Sequence, residues 1–154
     1  MAMLWVSDDG GRSASGYKGH AGDCVARAVT IASSRSYAGV YAALASGAGV
    51  ERKSSGASAR NGIHTKRKWF KDYMRSLGFE WTPTMHIGQG CKVHLADGEL
   101  PSGRLVVAVS KHYTAVVDGV IHDTHDPQRE ETWHWADGTT TVTRRCVYGY
   151  WRLA

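Results

Sequence analysis

The dipeptide Asp118-Gly119 lies between two arms rich in β-branched residues, in the stretch HYTAVVDGVIHDT. Such a pair, at the corners of a two-residue loop, is a strong signal for a β-hairpin with a type I′ turn. The turn fixes the register of the two arms, and side chains along each arm alternate between faces. His112 and Asp123 are therefore predicted to lie diagonally on one face of the hairpin, within reach of each other.

Three helices are predicted before this hairpin. The first follows Asp23, which occupies an N-cap position, and its apolar residues recur at helical spacing in VARAVTIA. A second, Ala-rich helix is predicted near SYAGVYAALAS, with Ser36 as its cap. A third is predicted over KRKWFKDYMRSL, capped by Thr65 and ended by Gly78.

The remaining strands place the chain in the α+β class. Residues 104–109, RLVVAV, have the β-branched content of a buried strand, and residues 146–153, CVYGYWRL, are predicted to form the last strand. Helices precede strands, so we expect an α+β fold with N-terminal helices packed on an antiparallel sheet. The length of 154 residues suits a single domain, 1–154, in which residues 1–22 form a partly mobile N-terminal segment.

The cysteine content bears on the compartment. Cys24, Cys91 and Cys146 are a sparse, odd-numbered set, which argues against a disulfide scaffold and for a reducing environment. The N-terminus lacks a basic region followed by a long apolar run, and no stretch approaches the roughly 18 apolar residues of a membrane helix. We therefore expect a cytoplasmic protein that is not embedded in a membrane.

Cys24 is the candidate nucleophile. It follows Gly-Asp in the first turn of a predicted helix, where the positive end of the helix dipole favours the thiolate. His112 would act as its base and Asp123 would orient the imidazole. The negative charge of Asp23 opposes thiolate formation unless Arg27, one turn along, pairs with it. The alternative is a small buried cysteine and an ordinary polar pair on a sheet.

The order of a helix-borne Cys, a His at the start of a strand and an Asp on the next strand resembles papain-like cysteine peptidases. The matching pieces are GDCVARA, VSKHYTAVVDG and VIHDTHDP, and they look most similar to the compact C39-type and bacteriophage-encoded relatives. The resemblance implies Cys24 as nucleophile, His112 as general base and acid, and Asp123 as orienter, in a cleft between helix and sheet. It also implies a thiol hydrolase, in the host cytoplasm if the protein is viral.

The activity implied is a cysteine-dependent acyl-group hydrolase, most simply a peptidase or isopeptidase acting on a protein or peptide. Deamidation and acyl transfer use the same three groups. No cofactor and no metal are implied.

Two features depart from the family pattern. Papain-like enzymes usually carry a Gln before the Cys that helps to bind the oxyanion, but both glutamines of this chain follow Cys24. The oxyanion would then depend on the Cys24 backbone N–H, with His20 or Gln89 as supporting candidates. The usual Asn is replaced by Asp, and Asp126 in HDP rivals Asp123 because the C39-type Asp commonly precedes Pro. The face argument favours Asp123.

Nucleic-acid binding is an alternative from a different class of function. The formal net charge is +5, and aromatic residues interleave with basic ones in the third predicted helix. The basic residues concerned are Lys66, Arg67, Lys68, Lys71 and Arg75. A catalytically inactive papain-like domain used only for binding is a further alternative.

A zinc site is the weakest alternative. His86, Cys91 and His94 lie close in sequence, and His122 with His125 forms a second group. Neither group makes a closed four-ligand set at a recognised spacing.

Overall fold

The computed structural model describes residues 2–17, 22–49 and 62–154. Its described part combines three helices with a six-stranded mixed sheet and a separate two-stranded sheet. The elements in chain order are β1 (Leu4–Ser7), α1 (Cys24–Ser33), α2 (Tyr37–Gly49), α3 (Lys68–Ser76), β2 (Phe79–Pro83), β3 (Arg104–Val109), β4 (His112–Val117), β5 (Val120–Asp123), β6 (Glu131–His134), β7 (Thr140–Thr143) and β8 (Val147–Leu153). The α+β class predicted from the sequence is confirmed.

The larger sheet has the strand order β1-β5-β4-β3-β8-β2, and β6 pairs with β7. The expectation of a purely antiparallel sheet is wrong at one edge, because β1 runs parallel to β5 with Leu4 opposite Val120. Hairpins force neighbouring strands to be antiparallel, whereas these two strands are separated by most of the chain and no turn sets their direction. β1 was not predicted from the sequence, since its four side chains are all exposed and show no alternation.

The central hairpin forms in the predicted register. Val117 is opposite Val120, and both corner residues, Asp118 and Gly119, have positive φ of 47° and 81°, as a type I′ turn requires. This register places the start of β4 next to the end of β5. The helix α1 packs against these two strands.

Both faces of the sheet centre are covered. On one face the apolar stripe of α1, including Val25 and Val29, packs in a core with Phe70 of α3. On the other face Leu105 and Ile121 pack with residues from the segment before β3. Burial on both faces explains why residues 105–109, LVVAV, are continuously apolar, since a strand with one wet face would alternate.

The helix ends agree with the sequence in part. The Ser36 hydroxyl accepts a hydrogen bond from the Gly39 N–H at 3.1 Å, and Gly78 ends α3 with φ 96°. Thr65 does not cap α3, because that helix begins only at Lys68. The end of a helix depends on a backbone conformation favoured by glycine, whereas several residue types compete for its beginning.

Cys91 and Cys146 form a disulfide, with their Cα atoms 5.9 Å apart. The sequence argued against a disulfide scaffold and for a reducing compartment, but this one bond means that the cysteine count no longer indicates a reducing compartment. The two residues are 55 positions apart and meet because the segment before β3 pairs with the residues just before β8, with His94 opposite Cys146 in an antiparallel bridge. Cys24 is the free cysteine.

Within the three described stretches, every helix is too short or too polar to cross a bilayer.

Candidate active site

Cys24 is the first residue of α1 and borders a cleft of about 710 Å³. Its backbone N–H belongs to the first turn, where amides have no intrahelical carbonyl to bond. The half-buried thiol therefore sits at the positive end of the helix, beside N–H groups that helix geometry leaves without an intrahelical acceptor.

His112 begins β4 and Asp123 ends β5, so the hairpin brings the two together. The Nε2 atom of His112 lies 2.7 Å from Oδ2 of Asp123, which is 3% exposed. The imidazole also lies close enough to the Cys24 thiol for each group to shift the pKa of the other. Because Nε2 is engaged by the carboxylate, Nδ1 is the ring nitrogen left for the thiol. The three side chains predicted from the sequence thus lie in one chain of contacts.

The Asp123 carboxylate is held by several donors besides the imidazole. The Thr114 hydroxyl donates to Oδ2 at 2.8 Å, and the Thr124 N–H donates to Oδ1 at 2.7 Å. Nη2 of Arg27 lies 3.7 Å from Oδ1. Burial alone would raise the pKa of Asp123, but the His112 bond and charge and the Thr114 and Thr124 bonds outweigh it and lower the pKa. The carboxylate therefore stays charged next to the imidazole.

The pKa values of the thiol and the imidazole move in opposite directions. Burial would raise the pKa of Cys24, but the hydrogen bond and charge of His112, the Tyr113 backbone and the charge of Arg27 outweigh it and lower the pKa. Burial would lower the pKa of His112, but its bonds to Asp123 and Cys24 raise the pKa to about 9. The site therefore favours a thiolate beside an imidazolium.

Behind the site lies a buried group of charged and polar side chains centred on Asp23. The predicted N-cap bond of Asp23 is absent, because its carboxylate turns inward. Arg27 donates to Oδ1, the Tyr37 hydroxyl donates to Oδ2 at 2.5 Å, and Nη1 of Arg12 lies 3.4 Å from Oδ2. The predicted Arg27–Asp23 pair is thus present, and the charge of Asp23 is compensated close to Cys24. Arg27 bridges Asp23 and Asp123.

An aromatic wall forms part of the cleft lining. We use this name for Trp81, Tyr113, Tyr148 and Trp151. The Trp81 and Trp151 rings are 5.3 Å apart, and a Cβ at Gly149 would lie 2.3 Å from the Trp81 ring. Only glycine at this position lets the Trp81 indole lie across β8.

The three supporting candidates have different positions. His20 lies outside the described residues. Gln89 lies in an exposed turn and is not among the described residues that line the cleft. Asp126 accepts hydrogen bonds from the backbone N–H and the side-chain amide of Gln128, at 3.0 and 2.9 Å, and not from His112.

Only some basic residues of the predicted third helix line the cleft. Lys66, Lys71 and Arg75 line it, whereas Arg67 and Lys68 are not among its described lining residues. The latter two were predicted to act with the first three, since the sequence does not show which side of α3 faces the cleft.

The metal-binding alternatives find little support in the geometry. Cys91 is in the disulfide, and Nδ1 of His94 pairs with Glu99 at 3.1 Å. Ligand atoms of His112, Asp123 and His125 lie within 4.8 Å of one another. A metal there would have to break the His112–Asp123 hydrogen bond, and we assign none.

Several contributors to the site were not predicted. Thr114 shares a face with Asp123 by strand alternation, so the hairpin register contained the necessary signal. Arg12 and Tyr37 come from separate segments, and no local pattern connects them with Asp23 or with the catalytic candidates.

Comparison of the chain with protein-family models, with curated proteins and with solved structures gave no match in any of the three. The functional argument therefore depends on the site itself.

Proposed function

We propose that this protein is a cysteine-dependent acyl-group hydrolase, a peptidase or isopeptidase of papain-like arrangement, with Cys24, His112 and Asp123 as its triad. The observation that carries the proposal is the imidazole of His112 at the edge of a cleft, where it is hydrogen-bonded to Asp123 and lies close enough to the Cys24 thiol for each group to shift the pKa of the other. A nucleophile, its base and an orienter in this relationship are the requirements of covalent acyl transfer.

The chemistry follows from these positions. The Cys24 thiolate attacks an acyl carbon, forming an S–C bond, and the negative charge that develops on oxygen lies near the first-turn N–H groups of α1. The His112 imidazolium gives its proton to the leaving amine, and the C–N bond breaks to leave a thioester. His112 then takes a proton from water, which adds to the thioester. The acid product leaves and the Cys24–His112 pair is restored.

The cleft is large enough for a short peptide segment, and its aromatic wall offers apolar contact area beside the thiol. Deamidation and acyl transfer to an amine need the same groups and differ only in the leaving group and the acceptor.

Alkylation by iodoacetamide tests the activated thiol. At about pH 6 an ordinary thiol is almost fully protonated, so Cys24 should react at least about tenfold faster than 2-mercaptoethanol. His112→Ala should remove most of this advantage. The other two cysteines are bonded to each other and do not compete in the native protein. A Cys24 as slow as the reference thiol would contradict the proposal.

Turnover is tested separately, by digesting a diverse peptide mixture and identifying new termini by mass spectrometry. Cys24→Ser is the control, because it hardly changes side-chain volume and should leave the fold intact. A reactive Cys24 without any turnover would favour the inactive papain-like binding domain instead.

A further inference from the structure

We propose that the cleft selects peptides that carry an acidic side chain close to the acyl group attacked by Cys24. This inference rests on the proposed function and names the substrate class of the same site.

Four cations line the cleft around the thiol: Lys66, Lys71, Arg75 and Lys111. All four are exposed, and none of the described residues that line the cleft is Asp or Glu. A concave site with charges of one sign attracts ligands of the opposite sign and repels ligands of the same sign.

The cations come from different parts of the fold. Lys71 and Arg75 are one turn apart on α3, Lys66 lies just before that helix, and Lys111 lies between β3 and β4, directly before His112. They therefore line the cleft from the helix side and from the sheet side. A single solvated helix face would not explain a cation on the sheet side.

The ion pairs among the described residues do not account for these groups. Among the described residues, Lys66, Lys71 and Lys111 form no salt bridge, and Arg75 has one exposed contact, 3.5 Å from Asp72. An exposed pair of this kind contributes little to stability. The charges are therefore available to a ligand in the cleft.

The aromatic wall decides which anion fits. Trp81, Tyr148 and Trp151, on β2 and β8, add apolar surface to the lining of the same cleft. A peptide combines apolar backbone and side-chain segments with isolated carboxylates. It also supplies the acyl carbon that the thiol requires. A nucleic acid supplies anions but offers no amide bond at which the triad acts.

The charge of an alkylating reagent tests this proposal without a known substrate. Iodoacetate and iodoacetamide both alkylate a thiolate with loss of iodide, and differ mainly in charge. The ratio of their rate constants at Cys24, divided by the same ratio for 2-mercaptoethanol, measures the attraction of the cleft for a carboxylate. We expect this normalised ratio to exceed about five and to fall toward one in roughly 0.5 M NaCl, because salt screens exposed charges.

Variants separate the lysines from the imidazolium, which also attracts anions. Lys66→Gln and Lys71→Gln should each lower the normalised ratio about twofold to threefold, and the double variant should lower it further. Lys92→Gln is the matched control, since Lys92 is exposed but does not line the cleft. An unchanged ratio in the double variant would overturn the proposal.

Peptides give the second arm of the experiment. An acetylated Glu-rich hexapeptide should protect Cys24 from iodoacetamide at a lower concentration than its Gln counterpart. Protection by a single-stranded oligonucleotide at a lower concentration than either peptide would overturn the proposal in favour of nucleic-acid binding. If Cys24 reacts rapidly with iodoacetamide but shows no preference for iodoacetate, the proposed function stands and this inference fails. If Cys24 reacts slowly with both reagents, the proposed function itself fails.

Discussion

Nε2 of His112 and Oδ2 of Asp123 are 2.7 Å apart, at the two ends of strands joined by a two-residue turn. The pair therefore has little freedom to separate, because the hairpin register sets its backbone spacing. Asp126, only three residues further along the chain, is instead engaged with Gln128.

Asp123→Asn should lower activity more than Asp126→Asn does. The amide cannot stabilise the imidazolium as a carboxylate does, so we expect a loss of about 10²-fold in kcat/KM. Asp126→Asn should change kcat/KM by less than about threefold, since it does not touch the imidazole. Steady-state kinetics on a cleaved peptide measure both, and the reverse ranking would contradict the assignment of the orienter.

The rate of Cys24 alkylation should depend on pH in a way that both pKa shifts determine. The pKa of Cys24 is lowered, so the thiolate forms at a lower pH than in an ordinary thiol, and the alkylation rate should reach a first plateau at correspondingly lower pH. The pKa of His112 is about 9, so the imidazolium partner is lost as the pH rises through that value. Catalytic activity, which needs the protonated imidazole to release the amine, should fall on this alkaline side.

The pH profile of catalytic activity should be narrower in Asp123→Asn than in the native protein. Removal of the carboxylate removes the main interaction that raises the pKa of His112, so the alkaline limb should move to lower pH. The acid limb should move to higher pH, because a less stable imidazolium stabilises the Cys24 thiolate less. An unchanged alkaline limb would show that another group controls it.

Replacing Arg27 should destabilise the protein. Arg27 is 9% exposed, and its guanidinium contacts the carboxylates of both Asp23 and Asp123. Arg27→Met leaves buried negative charge without this partner, and we expect the free energy of unfolding to fall by about 3–5 kcal/mol. Arg152→Met, on the exposed side of β8, is the matched control and should change it by less than about 0.5 kcal/mol. Urea unfolding followed by circular dichroism measures both, and equal effects would argue against the bridge.

Gly149→Ala should disturb the aromatic wall. The added Cβ would meet the Trp81 ring at 2.3 Å and the Thr82 carbonyl at 2.9 Å. We expect the free energy of unfolding to fall by about 1–3 kcal/mol and the tryptophan emission spectrum to change, because the indole must move. Gly49→Ala is the control, since a Cβ there meets nothing within 4 Å. In a Trp81→Ala background the cost of Gly149→Ala should decrease, as only the contact with the carbonyl remains.

The disulfide should matter for stability and not for the chemistry. A Cys91→Ser, Cys146→Ser variant should lose about 2–4 kcal/mol in the free energy of unfolding, because the unfolded chain regains its freedom. The alkylation rate of Cys24 should stay within about twofold, since neither residue lines the cleft. A strong fall in that rate would show that the bridge supports the site.

The sequence predicted the local geometry well where one turn controlled it. The Asp118-Gly119 corner fixed the register of β4 and β5, and that register placed His112 beside Asp123 without knowledge of the rest of the fold. The helical position of Cys24 was also predictable, because it depends on the periodicity of the residues that follow. These are relations between residues close in the chain, where the backbone leaves few alternatives.

Tertiary structure decided everything that depends on distant segments. The edge strand Leu4–Ser7, the Cys91–Cys146 bond and the contact of Arg12 with Asp23 join parts of the chain that no turn or helix connects. The position of Lys71 and Lys111 in the lining of one cleft likewise depends on segments that are distant in the chain. Such contacts are set by how buried surfaces pack against one another. The pattern of a single sequence indicates which residues are buried, but it does not indicate which buried surfaces pack together.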